Sequence, residues 1–586
     1  MPYGLASRYL DFQIIPFTLA GKITQRTHLE YQVNIKDTSD PGLRLLRQRS
    51  TDTLFEQAVT FLRSKLNECL ATHAECHHIE PLKESKYPTR LLNLKSPYRS
   101  RVFLEDTSEE TKGHYFTLSH CWGGLQPVTL TRGSEQTLRG GINIRDLPKT
   151  FREAIYVCRK LDIPYLWIDS LCIFQDDLTD WHAEAASMRQ VYASAVCNIA
   201  AAGAKDASVG LRFQHDSMVS DSFEISAPKQ FWLPGQKQAP IEYLVCSRSS
   251  FSRDIENGPL NFRAWVLQER VLSRRTMHFT ASGVYWECLS NIANVMYPER
   301  LPDWIYREEE IQTIKLLLLQ GNDTNNSHVT QAWKNKVYDA WNQLCYMYSR
   351  MGMSVESDKL VAIHGIAQKL SQINGDKLVC GLWEQRLLPQ LLWCSVQIPN
   401  LATSFPLHWR APSWSWASNN NIFLHAAHLS CGYGQAKAIV EKIEVDAYVS
   451  GQLKDASLTL RGKVVEAKLD LQTEVKNSVR SVTTAHLHCG DDAMKVCAPF
   501  FDLTADDSDS MTFHEQVLCI GVYEDRCGRN AEEDFHPTWE LGVLILRQCH
   551  LDPPKYQRIG IFLLSGEDLA FYTSHESQEE RSITII

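Results

Sequence analysis

No stretch of this sequence is apolar for long enough to cross a bilayer. The longest runs, such as Ile314-Lys-Leu-Leu-Leu-Leu319, stop far short of the ~18–20 residues that a spanning helix needs. Dense runs of Lys and Arg are also missing, and 60 basic against 69 acidic residues leave a formal charge of -9. Without a basic stripe to track phosphates, nucleic acid is not an expected partner. The amino terminus lacks an export pattern, since Arg8, Asp11 and Lys22 break its apolar stretch, so a cytoplasmic location is expected. There is no Gly-x-Gly-x-x-Gly or Walker-type loop to cradle a nucleotide phosphate, and no cofactor is expected. Low-complexity blocks are absent too, while 44% apolar and 22% charged residues are ordinary for a chain that folds throughout.

Cysteine is not scarce, but the 17 residues are scattered through a long chain without an export signal, where thiols stay reduced and mostly pack as small hydrophobes. Cys69, His73, Cys76, His77 and His78 form the one cluster of soft-metal ligand types. Zinc sites usually join two separated ligand pairs, and no second pair is evident. The expectation is local packing at a helix end, with no metal.

A chain of 586 residues holds three or four units at ~150 residues each. We expect an amino-terminal extension over 1–100, an α/β domain over 101–302, a mainly helical region over 303–429 and a β-rich domain over 430–586. In the extension, Leu54, Ala58, Phe61, Leu62 and Leu66 follow helical spacing and predict a helix over Thr53–Leu70. Trp333, Val337, Trp341 and Leu344 do the same further on, as does the segment Lys359–Leu370. Ser457–Val465, Val517–Tyr523, Leu541–Leu546 and Ile559–Leu564 read as strands, and the acidic run 504–513 as an exposed loop.

The middle of the α/β domain is organised around Tyr165–Asp177. Tyr165–Ile168 is a short bulky run of the kind found in strands covered on both faces, which makes it a central strand of a parallel sheet. Asp169 ends that strand, at the edge where open α/β sheets bind ligands. Upstream, Thr150 and Glu153 have the spacing of a capping box, opening a helix lined by Phe151, Ile155, Cys158 and Leu161. Downstream, a helix is predicted from Asp180 to Ala195. Its face Glu184, Met188, Val191, Ala195 includes a carboxylate, which either works as an acid/base group or pairs with an arginine such as Arg152 or Arg189. Tyr115–Ser119 and Val196–Ala202 supply further strands, and Met277–Thr280 with Val284–Cys288 a hairpin. His120 and Cys121 cannot form a nucleophile–base dyad on one strand, because neighbouring side chains point to opposite faces.

Three segments, Tyr115-Phe-Thr-Leu-Ser-His-Cys-Trp-Gly123, Leu166-Trp-Ile-Asp-Ser-Leu-Cys-Ile-Phe-Gln-Asp176 and Arg263-Ala-Trp-Val-Leu-Gln-Glu-Arg270, resemble in order and spacing the signature blocks of the fungal heterokaryon incompatibility (HET) domain. Pro412-Ser-Trp-Ser-Trp-Ala417 resembles a segment common downstream of it. The resemblance implies a TIR-like, flavodoxin-like parallel sheet, and Trp181-His-Ala-Glu184 is similar to the surroundings of the glutamate with which some TIR domains cleave NAD. On this reading Asp169 and Glu184 are the candidate catalytic residues. Ser119, Trp122, Trp167, Gln175, Arg263 and Trp265 line the crevice, with Gln268, Glu269 and Arg270 nearby unless Glu269 and Arg270 form a structural charge pair.

Two functions follow. The resemblance implies non-self recognition and programmed cell death, through NAD cleavage or a protein partner. The chain lacks the nucleotide-switch and repeat regions of some incompatibility proteins, which leaves a second reading open. In that reading the protein is a cyclase or pericyclase of secondary metabolism, holding an apolar polyene or terpenoid in an aromatic pocket.

Overall fold

The computed structural model describes residues 31–34, 51–77, 87–95, 98–123, 128–213, 244–247, 251–302, 306, 311–319, 331–396, 406, 408–425, 434–448, 450–476, 479–496, 499–501, 512–524 and 540–586. The chain divides into two compact units, Met1–Gly321 and Asn322–Ile586.

The first unit is built on nine strands: β1 (Arg90–Asn93), β2 (Arg101–Asp106), β3 (Tyr115–Ser119), β4 (Ile142–Asn143), β5 (Tyr165–Ile168), β6 (Cys197–Ala200), β7 (Arg275–Phe279), β8 (Val284–Cys288) and β9 (Ile292–Asn294). They lie in the order β9-β8-β7-β6-β3-β5-β1-β2-β4. Four neighbours run parallel, with Thr117 opposite Trp167 and Asn198, and Ile199 opposite Met277. All residues of β3, β6 and β7 are buried, the condition that apolar runs such as Phe116, Leu118, Ile199 and Met277 satisfy.

The expected parallel sheet is therefore a mixed one. β5 pairs parallel with β3 on one side but antiparallel with β1 on the other, Leu166 lying opposite Leu92. The reason lies in the connections. A parallel neighbour needs a crossover of a dozen or more residues, and the short links between β1 and β2 and between β7 and β8 permit only antiparallel pairing. β5 is internal, and β3 occupies the centre of the parallel group.

Helices supply the crossovers. Those used below are α1 (Thr51–Thr72), α2 (Ala74–His77), α3 (Lys149–Lys160), α4 (Leu178–Ser194) and α5 (Ala264–Leu272). α1 buries Leu54, Phe55, Ala58, Val59, Leu62 and Leu66, with Phe55 against Tyr156 and Phe279. α4 starts two residues earlier than expected because Asp177 caps it, accepting from Thr179 N and Asp180 N. The predicted capping box on α3 does not form. Pro148 takes the cap position, so Thr150 and Glu153 turn instead to the 207–212 loop. There Thr150 accepts from Gly210 N at 3.1 Å and Glu153 from Leu211 N at 2.6 Å.

The second unit carries helices at Gln331–Ser349 and Val361–Asn374, then an eleven-stranded sheet. The predicted strand Ser457–Val465 is two strands, Leu453–Gly462 and Val464–Lys476. Trp341 and Trp416 both donate to the Gly381 carbonyl at 3.0 Å. Gly381 has φ +87°, and a Cβ there would meet Trp416 Nε1 at 2.7 Å. The Pro412–Ala417 segment thus closes onto a glycine turn. Most of the acidic run 504–513, like His78 and Gly124, lies outside the described residues. No helix among the described residues is long and apolar enough to cross a membrane.

Trp167 is fully buried and packs edge-on to Tyr192, ring centroids 5.7 Å apart. Trp167→Ala should lower the unfolding free energy of this unit by about 3–5 kcal/mol, the range for a large buried aromatic, as read by chemical denaturation. An unchanged midpoint would mean the strand is not part of the core.

Candidate functional site at the strand ends

Parallel pairing aligns the carboxyl ends of β3, β5, β6 and β7 on one edge of the sheet. Numbered as they occur in the chain, these strands are ordered 2-1-3-4, so the connections leave to opposite sides between β3 and β6. Doubly wound sheets open a crevice at such a point.

Asp169 follows β5 directly, and two donors orient it. Trp122 Nε1 donates to Oδ2 at 2.9 Å, and the Ser170 backbone N–H donates to Oδ1 at 2.7 Å. Its side chain remains 19% exposed, which leaves a path to solvent. Beside it lies His120, just past β3. The ring is buried, edge-on to Phe151 and roughly parallel to Trp122. Its Nδ1 stands 3.6 Å from Asp169 Oδ1, beyond hydrogen-bond reach. Burial pulls the imidazole down to about 4 against the opposing pull of Asp169, so it is neutral at physiological pH. Arg263, at the start of α5, donates to the His120 carbonyl.

One turn into α5, Glu269 is buried beside the hydroxyls of Ser119 and Tyr192. Burial pushes its carboxyl up to about 7; Asp169 adds to the rise, while Arg263 and the two hydroxyls oppose it. The base of the site is a hydrogen-bonded seam between strands. Thr117 Oγ1 donates to Asn198 Oδ1 at 3.0 Å, and Asn198 Nδ2 donates to Ser119 Oγ at 2.9 Å. Cys121 is also buried, and its thiol is pushed up mainly by desolvation. A thiol held protonated in this way is no nucleophile.

The structure brings together Ser119, Trp122, Asp169 and Arg263 from the sequence expectation. Gln175 supports the loop after β5, its side-chain amide donating to the carbonyls of Ile173 at 2.9 Å and Asp169 at 3.4 Å. Trp265 meets Trp181 edge-on at 6.2 Å, joining α5 to α4 at the rim. Trp167 lies beneath the site with no exposed edge. Glu184 is buried on α4 as predicted, but its recorded partners are Arg90, 3.5 Å away, and Thr89. Arg90 is shared with Asp180, which it meets at 2.6 and 2.7 Å. The arginine partner thus comes from β1 rather than from Arg152 or Arg189, and burial raises the Glu184 pKa.

Glu269 and Arg270 do not pair. Arg270 donates to Glu287 at 3.0 Å, and Glu287 also meets His278 and Lys315. Consecutive residues of α5 therefore face different ways, Glu269 toward the strand ends and Arg270 toward the β7–β8 hairpin. Two site residues escaped the sequence reading. A polar Asn198 inside the otherwise apolar Cys197-Asn-Ile-Ala200 was a usable signal; Tyr192, next to the apolar face of α4, was not distinguishable from core. Two cavities among the described residues of the second unit, about 410 and 230 Å³, are lined by none of these groups.

These features define an α/β domain with an ionisable site at its strand ends. The family described as Heterokaryon incompatibility protein (HET) matches residues 115–269, a span that contains every strand-end residue named above from Ser119 to Glu269. Over residues 115–269 the chain is therefore similar to the HET domain. Comparison with curated proteins and with solved structures found no match.

Because its folded pKa is near 7 and its ordinary value 4.5, Glu269 keeps a proton in the folded chain that the unfolded chain releases. Its contribution to stability is complete below pH 4.5 and is lost as pH rises through 7, a change of about 3 kcal/mol. His120 runs the other way, contributing fully above 6.5 and losing this as pH falls toward 4. The two slopes oppose each other in the overlap, flattening the wild-type curve. Glu269→Gln should uncover the histidine slope and gain about 3 kcal/mol relative to wild type between about pH 4 and 8. A pH-independent difference in denaturation midpoints would show that Glu269 does not titrate there.

Proposed function

We propose that this chain is a fungal effector of heterokaryon incompatibility, whose HET domain triggers programmed cell death by acting at the strand-end site on a small ligand, with NAD as the substrate. The observation that carries this reading is the coincidence of the matched family span, 115–269, with a cluster of ionisable residues at one sheet edge. The 2-1-3-4 order of the parallel strands supports a TIR-like comparison, since flavodoxin-like sheets begin in that order.

Cleavage of a nicotinamide glycosidic bond needs a carboxylate to stabilise the positive charge developing on the sugar, and a group near neutrality to handle the proton of the attacking water. Asp169, oriented and reachable from solvent, suits the first role. Glu269, held near 7, suits the second. A carboxyl raised toward neutrality by burial is suited to acid/base work. A pericyclase instead needs an apolar wall with one or two donors, which fits this charged site less well. Glu184, shared with Arg90, fits the role of holding α4 against β1.

NAD turnover, cell viability on overexpression and melting temperature should be measured on the same variants. Asp169→Asn and Glu269→Gln should remain folded, lose at least about 100-fold in NAD turnover and no longer kill. Glu184→Gln should cost about 1–2 kcal/mol of stability and retain activity. A folded Asp169→Asn or Glu269→Gln variant that still consumes NAD would remove these residues from the chemistry. A wild-type protein that neither kills nor consumes NAD would overturn the reading, and apolar polyene or terpenoid substrates would be tested next.

A further inference from the structure

At the opposite edge of the sheet, four metal-ligand side chains converge. Cys69 lies in the last turn of α1, His73 follows that helix, and Cys76 sits in α2. The chain folds back on itself there, His73 N donating to Cys69 O and Cys76 N to His73 O. The spacing i, i+4, i+7 sets all three side chains on one side. The fourth residue, Cys288, ends β8, 215 residues along the chain from His73. The ligand atoms of all four lie within 4.8 Å of one another, and Cys288 Sγ is 3.4 Å from His73 Nδ1. Zinc held tetrahedrally by sulfur and imidazole, with bonds of about 2.0–2.3 Å, places neighbouring ligand atoms about 3.5–3.8 Å apart. Small side-chain adjustments span the difference.

We propose that Cys69, His73, Cys76 and Cys288 form a structural zinc site that fastens the α1–α2 corner to strand β8. Sequence reading favoured local packing because it found ligands on one side only; the fold supplies the other from β8. The surroundings match what such a site requires. The three cysteines are buried and not disulfide-bonded. With Nδ1 facing the thiols, His73 directs Nε2 toward Glu68 Oε1 at 3.8 Å, a carboxylate positioned to fix the ring orientation. Arg275 donates from Nε to Cys69 Sγ at 3.0 Å and from Nη2 to the Cys76 carbonyl at 3.3 Å. Zn²⁺ with three thiolates and one neutral imidazole carries a single negative charge, which the Arg275 cation offsets. Binding transfers the three thiol protons to solvent, so retention strengthens as pH rises. Four protein ligands leave no open position, the mark of a structural rather than a catalytic centre. The placement agrees: Cys288 pairs with Arg275 at the start of β7, the end of the parallel strands away from Asp169.

The test uses the full chain purified without chelator. Elemental analysis should find about one zinc per chain, and Cys288→Ser should lose zinc to a chromophoric chelator at least about tenfold more readily. Glu68→Gln, which keeps all four ligands, should weaken retention by a similar factor without abolishing binding. If Cys288→Ser fails to fold, cobalt(II) titration of the wild type decides, with tetrahedral d–d bands and thiolate charge-transfer absorption as the expected result. Substoichiometric zinc together with no tetrahedral cobalt spectrum would overturn the proposal. So would a disulfide among Cys69, Cys76 and Cys288 found by mass after alkylation, or undiminished zinc in a folded Cys288→Ser protein.

Discussion

Parallel pairing of β5, β3, β6 and β7 is the constraint from which the first unit follows. Strands covered on both faces must be apolar along their length, so the polar chemistry of this domain is displaced to the strand termini. At the carboxyl termini it becomes the Asp169, His120 and Glu269 cluster. At the amino end of β7 it becomes Arg275 among the thiols of Cys69 and Cys76. Polar side chains that do lie within the strands have partners: His278 meets Glu287, and Thr117 and Ser119 occupy the hydrogen-bonding groups of Asn198. A two-residue slip of β6 against β3 would break that match, so the seam helps to specify register as well as to floor the site.

The strand-end site gains its electrostatic character from depth. Asp169 sits where solvent still reaches it; Glu269 and His120, a few ångströms further in, pay the full cost of desolvation and so favour their neutral forms. At mildly acidic pH the unfolded chain would carry a proton on histidine and a charge on the carboxylate. Folding favours the neutral form of both groups.

Much of this was legible from local sequence. The apolar run Tyr165–Ile168, the strand-end position of Asp169, the buried face of α4 and the hairpin at Met277 and Val284 all depend on neighbours within a few residues. What was not legible depended on partners far along the chain. The capping-box spacing of Thr150 and Glu153 was real, but Pro148 took the cap and the 207–212 loop took the side chains. Glu184 could be read as an acid/base group or as an arginine's partner, and the arginine beside it comes from β1, 94 residues upstream. Cys288 could not be joined to Cys69 without knowing that β8 ends beside α1. Period and capping report one element at a time, and these features belong to pairs of elements.

The cluster around Glu287 bears on how α5 behaves. Glu287 is buried and held well below the usual carboxylate range by Arg270 and Lys315, despite the opposing effect of burial. Arg270 is thereby tied to β8, and α5 with it. Glu269 is the next residue on the same helix, so it cannot swing out of the strand-end site unless that buried ion cluster comes apart. The inner carboxyl is thus a fixed point, its position set by an ion cluster on the far side of the same helix. The reorganisation that water would have to undergo around a changing charge is in this domain completed during folding.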